Sequence, residues 1–116
     1  MRICHLTINT ERFEEEIAFY REIAGLEIVR ELHTPDKDIV FLANGEGETQ
    51  VEIIKDAEAR CSGTEYISIG FFVENVEEKR EELVAKGYEA TPVIYAGGGT
   101  RFFFVKDPAG VRVQFI

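Results

Sequence analysis

From residue 2 to residue 9 the side chains alternate. Cys4, Leu6 and Ile8 fall on one side of an extended segment and Ile3, His5 and Thr7 on the other, which predicts a strand with two different faces. The period then changes. Phe13, Ile17, Tyr20 and Ala24 recur at helical spacing, making one apolar stripe. Thr10 is placed to cap that helix with its hydroxyl, and Glu11, Glu14 and Glu15 suit the positive end of the helix dipole. Gly25 ends it, since glycine enters the left-handed region without a steric cost. Three strand-like runs follow, Leu26–Leu32, Ile39–Ala43 and Gln50–Ile54, separated by the turn formers His33-Thr34-Pro35-Asp36 and Asn44-Gly45.

After an aperiodic stretch the pattern starts again. Ile67, Ile69, Phe71 and Val73 alternate with Ser68, Gly70 and Phe72. Asn75 is a cap for a helix whose stripe is Val76, Leu83 and Val84, with the stem of Arg80 between them, and Gly87 ends it. Strands are expected over 88–94, 101–105 and 111–116, the last two joined by the turn Asp107-Pro108-Ala109-Gly110. The chain is therefore read as two β-α-β-β-β modules, 1–54 and 64–116, linked by 55–63, in one α+β domain. Either half alone, at roughly 55–60 residues, would bury too little surface to be secure. Each curled mixed sheet is expected to cover a helix with one face and to turn the other toward a shared cavity.

Strand alternation then selects residues. With Cys4, Leu6 and Ile8 toward the helix, His5 faces the cavity. With Val51 and Ile53 toward the helix, Gln50, Glu52 and Ile54 face it. The same logic in the second module gives Ser68, Gly70 and Phe72 with Arg112, Gln114 and Ile116. Equivalent positions of the two copies thus carry His5 and Glu52 in one, Ser68 and Gln114 in the other. Imidazole and carboxylate are firm ligands for a divalent ion, an amide oxygen is a weak one, and a neutral hydroxyl is poor.

Composition narrows the classes. A net charge of −9 opposes binding to nucleic acid or anionic membranes, both of which need a basic footprint. No apolar run approaches the ~20 residues of a membrane span, and a leader is not expected before the first strand. Cys4 is expected as a buried core thiol, and Cys61 sits in a loop with no activating partner. Two cysteines outside any disulfide framework fit a reducing, cytoplasmic setting. Gly97-Gly98-Gly99 is followed by a strand and lacks the residues of a phosphate loop, so it is read as a mobile loop at the cavity mouth. One of Phe102, Phe103 and Phe104 is expected to line the pocket, Phe103 or a neighbour. Arg30, Arg101 and Arg112 are read as surface ion-pairing cations that could also meet an anionic ligand.

The segments HLTINTERFEEEIAFYREIAGLEIV, TQVEII and FFFVKDPAGVRVQFI resemble the vicinal oxygen chelate superfamily, which includes glyoxalase I, extradiol dioxygenases, fosfomycin-resistance enzymes and bleomycin-binding proteins. The resemblance spans essentially the whole chain. It implies a glyoxalase-like fold, a homodimer, and a divalent metal (nickel, zinc, manganese or iron) held at four positions that map onto His5, Glu52, Ser68 and Gln114. His5 and Glu52 match the family pattern. Ser68 stands where histidine or glutamine is usual, and Gln114 where glutamate is usual. Gln114 cannot titrate, so Glu52 would be the only catalytic carboxylate and ordinary lactoylglutathione lyase activity is not expected. The resemblance leaves two classes open. One is a metal-dependent lyase or isomerase on a small oxygen-rich substrate, with His5, Glu52 and Gln114 as ligands. The other is a metal-free protein that sequesters a small molecule, as the bleomycin-resistance proteins do.

Overall fold

The computed structural model describes residues 1–60 and 65–116. Cys61 and the end of the expected linker lie outside those residues. The chain divides into two compact units, Met1–Cys61 and Ser62–Ile116.

In the first unit, β1 (His5–Thr10) leads into α1 (Phe13–Glu22), followed by β2 (Glu27–His33), β3 (Asp38–Ala43) and β4 (Gln50–Lys55). They form one mixed sheet in the order β1-β4-β3-β2. β1 runs parallel to β4 with His5 opposite Gln50 and Thr7 opposite Glu52, whereas β4 and β3 are antiparallel with Glu52 opposite Phe41. α1 packs on the two central strands, β3 and β4. Its buried residues are Phe13, Glu16, Phe19 and Tyr20, so the stripe is rotated from the expected Phe13-Ile17-Tyr20-Ala24. Phe19, Tyr20, Leu42 and Ile53 make the centre of this core, and truncating any of them to alanine should cost about 2–5 kcal/mol.

Two expectations fail here. Thr10 is the last residue of β1 and is buried; its hydroxyl accepts from the Arg12 N–H at 3.0 Å, and α1 starts at Phe13 with no side-chain cap. Cys4 is exposed rather than buried. β1 is the edge strand and α1 covers its inner neighbours, so the helix-side residues Cys4 and Leu6 lie beyond the helix's reach.

The helix exit is as expected: Gly25 has φ +73°, the left-handed region that glycine enters without a steric cost, and the Leu26 N–H closes back onto the Tyr20 carbonyl at 2.9 Å.

The second unit repeats the plan. β5 (Ser68–Phe71), α2 (Val76–Ala85), β6 (Ile94–Gly97), β7 (Thr100–Lys106) and β8 (Arg112–Phe115) form a sheet in the order β5-β8-β7-β6 with α2 beside β7. Asn75 caps α2, its Oδ1 accepting from the Glu78 N–H at 3.0 Å. Val76 and Leu83 are buried, but Val84 is exposed and not part of the stripe. The strand expected from residue 88 begins only at Ile94. Thr91 nevertheless joins the sheet edge: its N–H reaches the Phe104 carbonyl at 3.0 Å and its hydroxyl accepts from the Phe104 N–H at 2.9 Å. Gly98 and Gly99 are the two central residues of a tight turn between β6 and β7, at φ +61° and +82°. A two-residue hairpin needs positive φ at both places, which accounts for the glycines and replaces the expected mobile loop. The Asp107–Gly110 turn forms as expected, with Gly110 N–H on the Asp107 carbonyl and Val111 N–H on its carboxylate.

Candidate functional site

In the first unit a row of side chains crosses the sheet on the face away from α1: Thr7, Glu52, Phe41 and Arg30, taken from β1, β4, β3 and β2 through their register. His5 lies one step along β1 on the same face. The Thr7 hydroxyl donates to Glu52 Oε1 at 2.5 Å, and His5 Nε2 stands 3.6 Å from that same oxygen. A separation of 3.6 Å is too long for a hydrogen bond, so the imidazole and the carboxylate face each other across a gap. The side chain of Glu52 is only 14% exposed against 40% for His5, so the carboxylate sits deeper in the face. On its other side the imidazole is held: Nδ1 is 3.3 Å from the Cys4 Sγ, and the ring meets Phe41 edge-on at 6.5 Å. The Arg30 guanidinium lies over Phe41 at 5.1 Å, a cation–π contact in place of the expected surface ion pair.

The donor set can be tested for a divalent ion on this geometry. Two donors each about 2.0–2.2 Å from one ion lie roughly 3–3.5 Å apart at tetrahedral or octahedral angles. His5 Nε2 and Glu52 Oε1 at 3.6 Å fit two adjacent corners after a small movement. They do not make a complete shell: among the described residues no group of three or more His, Cys, Asp or Glu could hold an ion. Among the described residues a further ligand would be a neutral oxygen, with water or substrate completing the shell.

The second unit presents the same face with different chemistry. Ser68 stands opposite Arg112, Gly70 opposite Gln114, and Phe104 opposite Gln114 on the other side. Phe104 is thus the counterpart of Phe41, Gln114 of Glu52, and Gly70 of Thr7. The hydroxyl that grips the carboxylate in the first unit has no equivalent here. A Cβ added at Gly70 would lie 3.2 Å from the Gln114 Oε1, so the amide occupies space a side chain would need. Arg112 is stacked over Phe104 at 3.7 Å and donates to the Glu65 carbonyl at 2.8 Å.

Two aromatic assignments change. Phe103 is fully buried, opposite and stacked on Phe115 at 5.4 Å. It belongs to the helix-packed core, while Phe102 and Phe104 point the other way. Phe72 lies just past the end of β5 and is 94% exposed. Of the three singled-out arginines, Arg101 pairs with a carboxylate among the described residues, Glu77 at 3.4 Å.

Sequence reasoning misses Thr7 and Phe41. Alternation puts Thr7 on the right face, two residues from His5. Its tie to Glu52 depends on the parallel register of β1 and β4, which no local pattern encodes.

The comparisons with known proteins agree with this fold. The family model for the glyoxalase/bleomycin resistance protein/dioxygenase superfamily matches residues 2–115. The chain is 29% identical to a lactoylglutathione lyase of Haemophilus influenzae, over all of this chain and 92% of the relative. Among solved structures, a glyoxalase family protein from Enterococcus faecalis is similar at 27% identity with a TM-score of 0.76, covering 98% of this chain and 95% of that one. The trypanothione-dependent glyoxalase I of Leishmania major, at 24% identity, shares the fold with a TM-score of 0.81 over 100% of this chain and 86% of its own. With two β-α-β-β-β units, a histidine and a glutamate on one sheet face, and a family match over nearly its whole length, the chain belongs to the glyoxalase/bleomycin resistance protein/dioxygenase superfamily.

Proposed function

We propose that this chain is a divalent-metal-dependent lyase or isomerase acting on a small substrate with neighbouring oxygen atoms. The observation that supports this most is the facing pair His5 Nε2 and Glu52 Oε1, 3.6 Å apart with no hydrogen bond closing the gap. In this reading His5 and Glu52 are the firm ligands, Gln114 contributes a neutral amide oxygen, and Ser68 is too poor a donor to take part. A bound nickel, zinc, manganese or iron ion would polarise the substrate oxygens and make the neighbouring proton more acidic.

The protein's own residues have separate tasks. Thr7 pins Glu52 Oε1, which fixes the carboxylate plane and leaves Oε2 to take a proton from the substrate. Gln114 holds or orients and moves no proton, because an amide does not titrate in water. A single proton-handling carboxylate suits reactions that remove and return a proton on one face of the substrate. For that reason the two-carboxylate chemistry of an ordinary lactoylglutathione lyase is not the reading we favour. The rest of the reading is a homodimer working in the cytoplasm on a small molecule.

One observation favours the metal-free alternative, sequestration of a small molecule: among the described residues no three strong ligands come together. Calorimetric titration of chelator-treated protein with each of the four ions separates the two. Saturable binding that is lost in His5→Ala and in Glu52→Gln supports the enzyme. No binding of any of the four ions leaves the sequestration reading standing and removes ours.

A further inference from the structure

The second unit holds a cleft of about 380 Å³ whose lining includes Glu65, Glu89, Thr91, Phe104, Lys106 and Arg112. That is within the size range of small-molecule sites. Its lining includes none of His5, Glu52, Ser68 and Gln114, although Phe104 and Arg112 stand opposite Gln114 and Ser68 on the same face, so the test is run without metal.

Lys106 and Arg112 are directly opposite each other on β7 and β8. Like charges in that relation are destabilising, and the usual remedy is a carboxylate between or beside them. Three other cations of this unit have one: Lys79 and Lys86 both pair with Glu82, and Arg101 pairs with Glu77. Among the described residues no carboxylate pairs with Lys106 or Arg112. Glu65 and Glu89 line the same cleft, and Arg112 meets Glu65 through its backbone carbonyl rather than its carboxylate.

The guanidinium is also fixed in place. It stacks 3.7 Å over the Phe104 ring, and one of its nitrogens is tied to the Glu65 carbonyl at 2.8 Å. Phe104 is itself clamped by Thr91 at the sheet edge, and the Thr91 carbonyl is held by Arg80 Nε at 2.7 Å. A flat, pre-oriented guanidinium with donors to spare is well suited to oxygen anions, and a second cation opposite it adds charge without a competing partner.

We propose that this cleft binds an oxyanion, a carboxylate or phosphate group of a small molecule, between Arg112 and Lys106. The two glutamates of the lining disfavour multiply charged anions, so a carboxylate is the better fit.

The test uses the full chain in chelator, at fixed ionic strength, titrated by amide-resolved NMR with acetate in one arm and inorganic phosphate in the other. Saturable shifts centred on Phe104, Lys106 and Arg112 are expected, with a dissociation constant on the order of millimolar for so small a probe. Saturation by acetate alone identifies the source as a carboxylate, and saturation by phosphate alone identifies a phosphate; either supports the site. Arg112→Gln should weaken binding by about tenfold and Lys106→Gln by several-fold, while Lys86→Gln leaves it unchanged. Lys106 is exposed, so its variant keeps the fold if loss of the Arg112 stack does not. Shifts that never saturate, or Lys106→Gln and Arg112→Gln proteins that titrate like the parent, would overturn the proposal.

Discussion

Small polar contacts decide what the face of the first unit can do. The hydroxyl of Thr7 and the imidazole of His5 both address one oxygen of Glu52. Groups that orient a ligand carboxylate are commonly worth roughly 10–100-fold in metal affinity. Thr7→Val should therefore weaken metal binding by about tenfold while leaving thermal stability nearly unchanged, as calorimetry and a melting curve on the same sample would report. Equal affinity in the variant would show that the hydroxyl does no positioning.

A second contact, far from the site, sets a pH dependence. His33 donates to Asp38 at 2.7 Å and lies 3.2 Å from Glu31 at the β2–β3 turn. The hydrogen bond to Asp38, then that to Glu31, raise its pKa above the ordinary 6.5. A proton held more tightly in the folded chain stabilises it fully below the unfolded value, and that contribution fades as the pH climbs through the raised one. Urea midpoints should fall slightly as the pH rises from the ordinary imidazole value through the raised one, and His33→Gln should flatten that part of the profile. Both groups are exposed, so the effect is small.

At the scale of elements, the periodicities are enough to place both helices and most of the strands near their observed positions. They fail where tertiary packing overrides local pattern. The stripe on α1 is rotated: Phe19 and, just past the helix, Ile23 are buried, whereas Ile17 and Ala24 are only half-buried. The apolar alternation around Cys4 is sound and suggests burial, yet an edge strand leaves its outer residues uncovered.

The glycine run misleads for a different reason. Three glycines carry no hydrophobic signal, so a floppy loop and a tight hairpin look alike in sequence, and only their positive φ values separate the two. The observed turn makes a specific demand. Gly98→Val should destabilise the second unit by about 1–2 kcal/mol, because a branched residue is strained at positive φ. Asn75→Ala should cost about 1 kcal/mol through the lost cap on α2. Denaturant unfolding measures both, and a neutral Gly98→Val would mean that the hairpin can adopt another turn.

Across the whole chain, duplication makes the candidate site legible. A lone strand histidine and a lone strand glutamate have no spacing motif to connect them; they become a pair only because the same positions recur in the second copy as Ser68 and Gln114. The copies have diverged in a consistent direction. The first carries a histidine, a carboxylate and the hydroxyl that holds that carboxylate. The second has Gly70, Ser68 and an amide in their place, while an arginine lies over the equivalent ring in both, Arg30 on Phe41 and Arg112 on Phe104. No helix among the described residues is long and apolar enough to cross a membrane.

The central claim is that His5 and Glu52 retain an ion although their counterparts have lost the strongest ligands. Elemental analysis of the protein purified without chelator tests it most directly. The account predicts nickel, zinc, manganese or iron in fixed stoichiometry to the chain, reduced to background in His5→Ala and retained in Ser68→Ala. Metal-free protein that stays empty after exposure to all four ions, or metal content unaffected by His5→Ala, would contradict it.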